Sequence, residues 1–76
     1  MTQYHTIDPT DVQHVLDSLD PGQPFIVIFL TKGNEQRRYT GTIEPGAIKS
    51  QSVAMVTSEG YKRFDLSRVL SINPMW

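Results

Sequence analysis

Seventy-six residues without a single cysteine make one small domain, with a thin core and no disulfide or thiolate-metal framework to reinforce it. Seven Lys and Arg against eight Asp and Glu leave the chain slightly acidic, which argues against a long electrostatic footprint on nucleic acid. The longest apolar run, Phe25 to Leu30, is far short of the roughly 20 residues of a spanning helix. A soluble, cytoplasmic protein with no membrane contact is therefore expected.

Residues 1–6 carry no periodic pattern. Asp8-Pro9 marks a helix start, because an aspartate accepts orphan amide protons and proline suits the first turn. Asp11 adds negative charge where the helix dipole favours it, and Ile7 and Val12 have the spacing of a hydrophobic staple. Val12, Val15, Leu16 and Leu19 recur at helical spacing and form one apolar stripe, so a helix over about 9–20 is predicted. Asp20-Pro21-Gly22 ends it. His14 falls off the stripe, and neither it nor His5 has the paired spacing of a zinc site.

PFIVIFLT, residues 24–31, is apolar on both alternating faces, with Phe25, Val27 and Phe29 on one and Ile26, Ile28 and Leu30 on the other. A strand of this kind is covered on both sides. It reads as a central strand with the core on one face and the helix, or another subunit, on the other. A polar turn over residues 32–36 leads to RRYTGTIEP, where Tyr39, Gly41 and Ile43 share a face and the mid-strand glycine marks a bend or a close backbone approach. Pro45-Gly46 is expected to break this strand, with a loop over Ala47 to Gln51. SVAMVTS, residues 52–58, is a third strand, Glu59-Gly60 a tight hairpin and YKRFDL the fourth strand. Asp65 to Arg68 forms one tight turn before the last strand, VLSINP, which Pro74 stops. The fold class is mainly β with one N-terminal α-helix, a single domain with its sheet over about 24–74.

Five short, strongly bent strands after a helix resemble an Sm-like or SH3-like barrel. Leu30 and Gly33, then Tyr39, Gly41 and Ile43, resemble the Sm-type strand pair of the Hfq family, with a longer hairpin between the glycines and Glu-Pro-Gly where Sm proteins carry a nucleotide-contacting Asp or Asn. The stretch Arg63-Phe64-Asp65-Leu66-Ser67-Arg68-Val69 is similar to the end of WYL domains and of short phage proteins described as WYL-like Sm/SH3 barrels. The resemblance implies a five-stranded barrel, no single biochemical role from the short phage proteins and, from WYL domains of regulators, a nucleic-acid-like or nucleotide-like ligand; a phage accessory or counter-defence protein is expected.

Arginine forks grip phosphate in two-toothed fashion, so Arg63 and Arg68 from adjoining segments are the first ligand-binding candidates. The competing reading pairs one of them with Asp65 to hold the turn. Lys62 lies on the opposite strand face from Arg63, and Lys32, Arg37 and Arg38 cluster around the first hairpin as a second candidate surface. Tyr39, Tyr61, Phe64 and Trp76 are aromatic stacking candidates, with core packing favoured for Tyr39 and Phe64 and a partner contact for Trp76. The charge is segregated: residues 1–24 hold four aspartates and no Lys or Arg, whereas residues 25–76 hold all seven basic groups against four acidic ones. Asp11 and Asp17 on the acidic helix are therefore candidate contacts for a protein partner. No P-loop, nucleophile-histidine-acid set or acidic pair is present, so neither catalysis nor a cofactor or metal is expected. The expected protein is a homo-oligomeric binding module, self-associating through strand edges or its helix, that sequesters a nucleotide-type anion or blocks a host enzyme. The alternatives are an Sm-like RNA or single-stranded DNA binder and a protein-interaction module that uses the acidic helix.

Overall fold

A computed structural model describes the backbone of residues 5–20, 22–49 and 51–75, and their side chains apart from those of 44–47. The order is α1 (Pro9–Asp17), β1 (Phe25–Leu30), β2 (Gln36–Lys49), β3 (Ser52–Thr57), β4 (Gly60–Asp65), a 3-10 turn (Leu66–Arg68) and β5 (Val69–Pro74). The five strands form one antiparallel sheet in the order β4-β3-β2-β1-β5. β1, apolar on both faces, is flanked on both edges, by β2 and β5.

The sheet is curled into a half-barrel. In a flat sheet β1 and β4 would stand three strand spacings apart, about 14 Å. Yet the rings of Phe29 on β1 and Phe64 on β4 have centroids 5.6 Å apart. Gly41 in mid-β2 is what lets the strands approach. A Cβ there would collide with the carbonyl oxygen of Val56 on β3 and lie 2.9 Å from its carbon. Further along, the register between β2 and β3 shifts: Ile43 faces Met55, whereas Ile48 faces Val53, so residues 44–47 oppose Ala54 alone. The expected break at Pro45-Gly46 is thus an irregularity inside a 14-residue strand, not its end. Extra residues at a bulge accommodate a proline, which has no amide hydrogen to give a ladder.

α1 starts as predicted. Asp8 caps it by accepting the Thr10 amide at 2.8 Å, with Pro9 in the first turn. It ends at Asp17 rather than near Asp20. The Ser18 hydroxyl donates to the Val15 carbonyl at 2.8 Å, and the Leu19 amide donates to Leu16 at 3.3 Å, bonds that tighten the last turn and stop the α-helical ladder. The helix makes its main contacts away from β1, on whose outer face Ile26 and Ile28 are half-buried and Leu30 is buried. It lies against β5 and the 3-10 turn, and its Val12 and Leu16 join Phe25, Val27, Phe29, Val53, Met55, Phe64, Leu66, Val69 and Ile72 in one core. The Ile7 amide donates to the Val69 carbonyl at 2.8 Å, which ties the chain before the helix to β5. Gln23, the buried polar side chain among the described residues, accepts the Asp20 amide at 2.9 Å and fixes the exit from the helix. No helix among the described residues is long and apolar enough to cross a membrane.

Candidate functional site

The curl of the sheet brings the end of β1 and the start of β2 against the end of β4. A cleft of about 260 Å³ opens there. Its floor is aromatic: Phe29 from β1, Tyr39 from β2 and Phe64 from β4. Phe29 joins the other two, with its ring 5.3 Å from that of Tyr39 and tilted by 57°, and 5.6 Å from that of Phe64. Alternation along each strand turns Phe29 and Tyr39 inward, while the edge position of β4 exposes the rim. Phe29 and Phe64 are buried and Tyr39 is half-buried, so Tyr39 is the most accessible ring of the three, and a base stacking on the face that Lys62 covers would displace that side chain.

Four cationic residues and one carboxylate line this cleft, and strand alternation sets Arg63 and Asp65 on the face of β4 opposite Phe64 and Lys62, so Arg63 stands at the rim and not over the floor. Lys32 comes from the β1–β2 hairpin, Arg37 from β2, Arg63 from β4 and Arg68 from the 3-10 turn, with Asp65 between the last two. Arg37 binds Glu35 at 3.1 Å. Arg68 lies 3.6 Å from Asp65 and donates from Nη1 to the Thr31 carbonyl at 3.2 Å. It therefore holds the turn, and it also docks the turn onto the hairpin. Thr31 organises that hairpin in its own right. Its carbonyl accepts the Asn34 amide at 2.9 Å, its amide donates to the Glu35 carbonyl at 2.8 Å, and its hydroxyl accepts the Glu35 amide at 3.2 Å. Asn34 has φ 63°, the left-handed conformation asparagine tolerates in a tight turn. The side chains of Arg63 and Lys32 make no hydrogen bond or ion pair among the described residues.

The structure thus brings Arg63 and Arg68 together with Arg37 and Lys32, two candidate surfaces that are separate in the sequence. The other candidates lie elsewhere. Arg38 is on the opposite face of β2, across from Ile28. Lys62 is outside the cleft lining but close by, with Nζ 5.8 Å from the centre of the Tyr39 ring, a cation–π contact. Tyr61 is 70% exposed and outside the cleft lining. Asp11 and Asp17 are both exposed, but six residues of helix set them about 120° apart, so they do not form one acidic stripe. Trp76 lies outside the described residues. Sequence reasoning missed Thr31 as the anchor of Arg68, and the signal is faint: a hydroxyl at the end of an apolar run. No group of three or more residues suited to holding a metal occurs among the described residues.

Set against protein-family models, curated proteins and solved structures, the chain matches none. Its functional reading rests on the chemistry of the cleft.

Proposed function

We propose that the protein is a non-enzymatic binding module that captures a small nucleotide-type anion in the cleft between the β1–β2 hairpin, β4 and the 3-10 turn. The gathering of Lys32, Arg37, Arg63 and Arg68 in the lining of one cleft with an aromatic floor carries this reading. Guanidinium forks match phosphate oxygens, and stacking of a base on an aromatic side chain contributes about 1–3 kcal/mol. At about 260 Å³ the cleft lies just below the range of about 300–1,000 Å³ common for small-ligand sites, which favours one nucleotide over a larger ligand. The cations gather at one place and do not track along the surface, and Arg38 is turned away, so an extended RNA or DNA strand is less well served.

The finer fold belongs to the same proposal. A four-strand meander whose fifth strand returns through a 3-10 turn to the far side of β1 supports an Sm-like or SH3-like barrel of the WYL-like kind. Self-association through the sheet's outer strands β4 and β5 is the assembly this supports, because pairing closes unpaired edges. The helix is a poor alternative, with Val12 and Leu16 buried in the core. Light scattering at micromolar protein is expected to give a mass above 8.6 kDa, and a sharp monomer mass would remove the assembly part of the proposal.

The test of function is titration calorimetry with a panel of nucleoside phosphates at low salt. Saturable binding is expected, weakened at least tenfold in Arg63→Ala. A blank titration at millimolar ligand would end the proposal.

A further inference from the structure

We infer that the cleft selects a terminal phosphate monoester, carried by a single nucleotide, over an internal phosphodiester. This inference rests on the anion-capture reading above and adds the charge and size of the ligand.

The four cations of the cleft are not equivalent. Arg37 is matched by Glu35 at 3.1 Å. Arg68 is matched by Asp65 at 3.6 Å and committed to the Thr31 carbonyl at 3.2 Å. Arg63 and Lys32 have no such counterpart among the described residues, and they reach the cleft from two different elements, β4 and the β1–β2 hairpin. Among the described residues the uncommitted charge of the cleft lining is therefore two positive units, and Lys62, engaged with the Tyr39 ring, adds a third beside it. A terminal phosphate monoester carries about −1.5 to −2 at pH 7 and presents three acceptor oxygens. It can satisfy a guanidinium fork and an ammonium at once and neutralise both. An internal diester carries a single negative charge per phosphate and has two unbridged oxygens, so it leaves one cation of the pair uncompensated. The volume sets the other limit. About 260 Å³ beside one half-buried ring, Tyr39, leaves room for one base, not two.

The experiment titrates the full chain, by calorimetry at fixed low salt, with a nucleoside 5′-monophosphate, its methyl ester, the parent nucleoside and a 5′-phosphorylated dinucleotide. The monophosphate is expected to bind at least tenfold tighter than its methyl ester and tighter than the dinucleotide, with the nucleoside weakest. Arg63→Ala and Lys32→Ala replace exposed side chains outside the core, so both variants retain the fold, which circular dichroism checks. Each is expected to bring the monoester-to-methyl-ester ratio towards one. Equal affinity for the monophosphate and its methyl ester would overturn this inference while leaving anion capture standing. A dinucleotide that binds tighter than the mononucleotide would overturn the single-nucleotide limit. No binding by any phosphate would overturn both readings together.

Discussion

Replacing Gly41 with alanine sets a methyl group against the Val56 carbonyl, which is backbone and has no rotamer in which to retreat. Overpacking costs about 1–3 kcal/mol where side chains can adjust, and a rigid neighbour puts Gly41→Ala at about 3 kcal/mol or more. Denaturant unfolding with an unchanged slope checks it, and a variant as stable as the parent would show that the strands do not approach as described. Arg63 and Arg68 separate binding from support at the same scale. Arg63→Ala is expected to weaken ligand binding at least tenfold with little change in melting temperature, because the Arg63 side chain has no hydrogen-bond or ion-pair partner among the described residues. Arg68→Ala removes the bonds to Asp65 and Thr31, so it is expected to weaken binding and also to speed amide exchange at Asn34 and Glu35, whose protection depends on the docked hairpin. Equal exchange in the two variants would count against the docking role.

Among the elements, α1 and the strands were legible to different degrees, for physical reasons. The Asp8-Pro9 start follows from local chemistry alone and was readable, as were the alternation of Phe25, Val27 and Phe29 and the turn at Asp65 to Arg68. The end of α1 was not, because it depends on whether Ser18 bonds back to Val15 or the helix runs on to Pro21. The path of β2 through Pro45 was not readable either, since a bulge is decided by the pairing partner, β3, and not by the bulged residues. The site was legible as residue types, and its assembly was not: Arg37 and Arg63 share a cleft because the sheet curls, which no local pattern states. The cap offers the prediction proper to this scale. Asp8→Ala is expected to cost about 1 kcal/mol, whereas Asp8→Asn, which caps equally well, leaves stability within a few tenths of that of the parent. Thermal melts of the two variants check it, and equal losses would point to the charge of Asp8 instead of its hydrogen bond.

Across the whole molecule, one small core serves both the fold and the site. A domain of 76 residues is stable by about 4–11 kcal/mol. Leu16, 4% exposed, belongs to the core cluster that also holds Phe29 and Phe64, the rings that floor the cleft. α1 also lies against the 3-10 turn, whose buried Leu66 sits two residues before Arg68. Truncating Leu16 therefore acts on the site without touching it. Leu16→Ala is expected to cost about 2–5 kcal/mol, a large share of the total, and to lower the melting temperature by about 8 °C or more. At a temperature where the variant is still folded, its ligand affinity is expected to fall severalfold, because the turn that carries Arg68 loses its backing. Asp11→Asn, on the exposed side of the same helix, is expected to change neither quantity. Paired melts and titrations of the two variants decide the matter: affinity retained in folded Leu16→Ala would mean that the hairpin alone positions Arg68, and affinity lost in Asp11→Asn would move the ligand contact to the acidic helix.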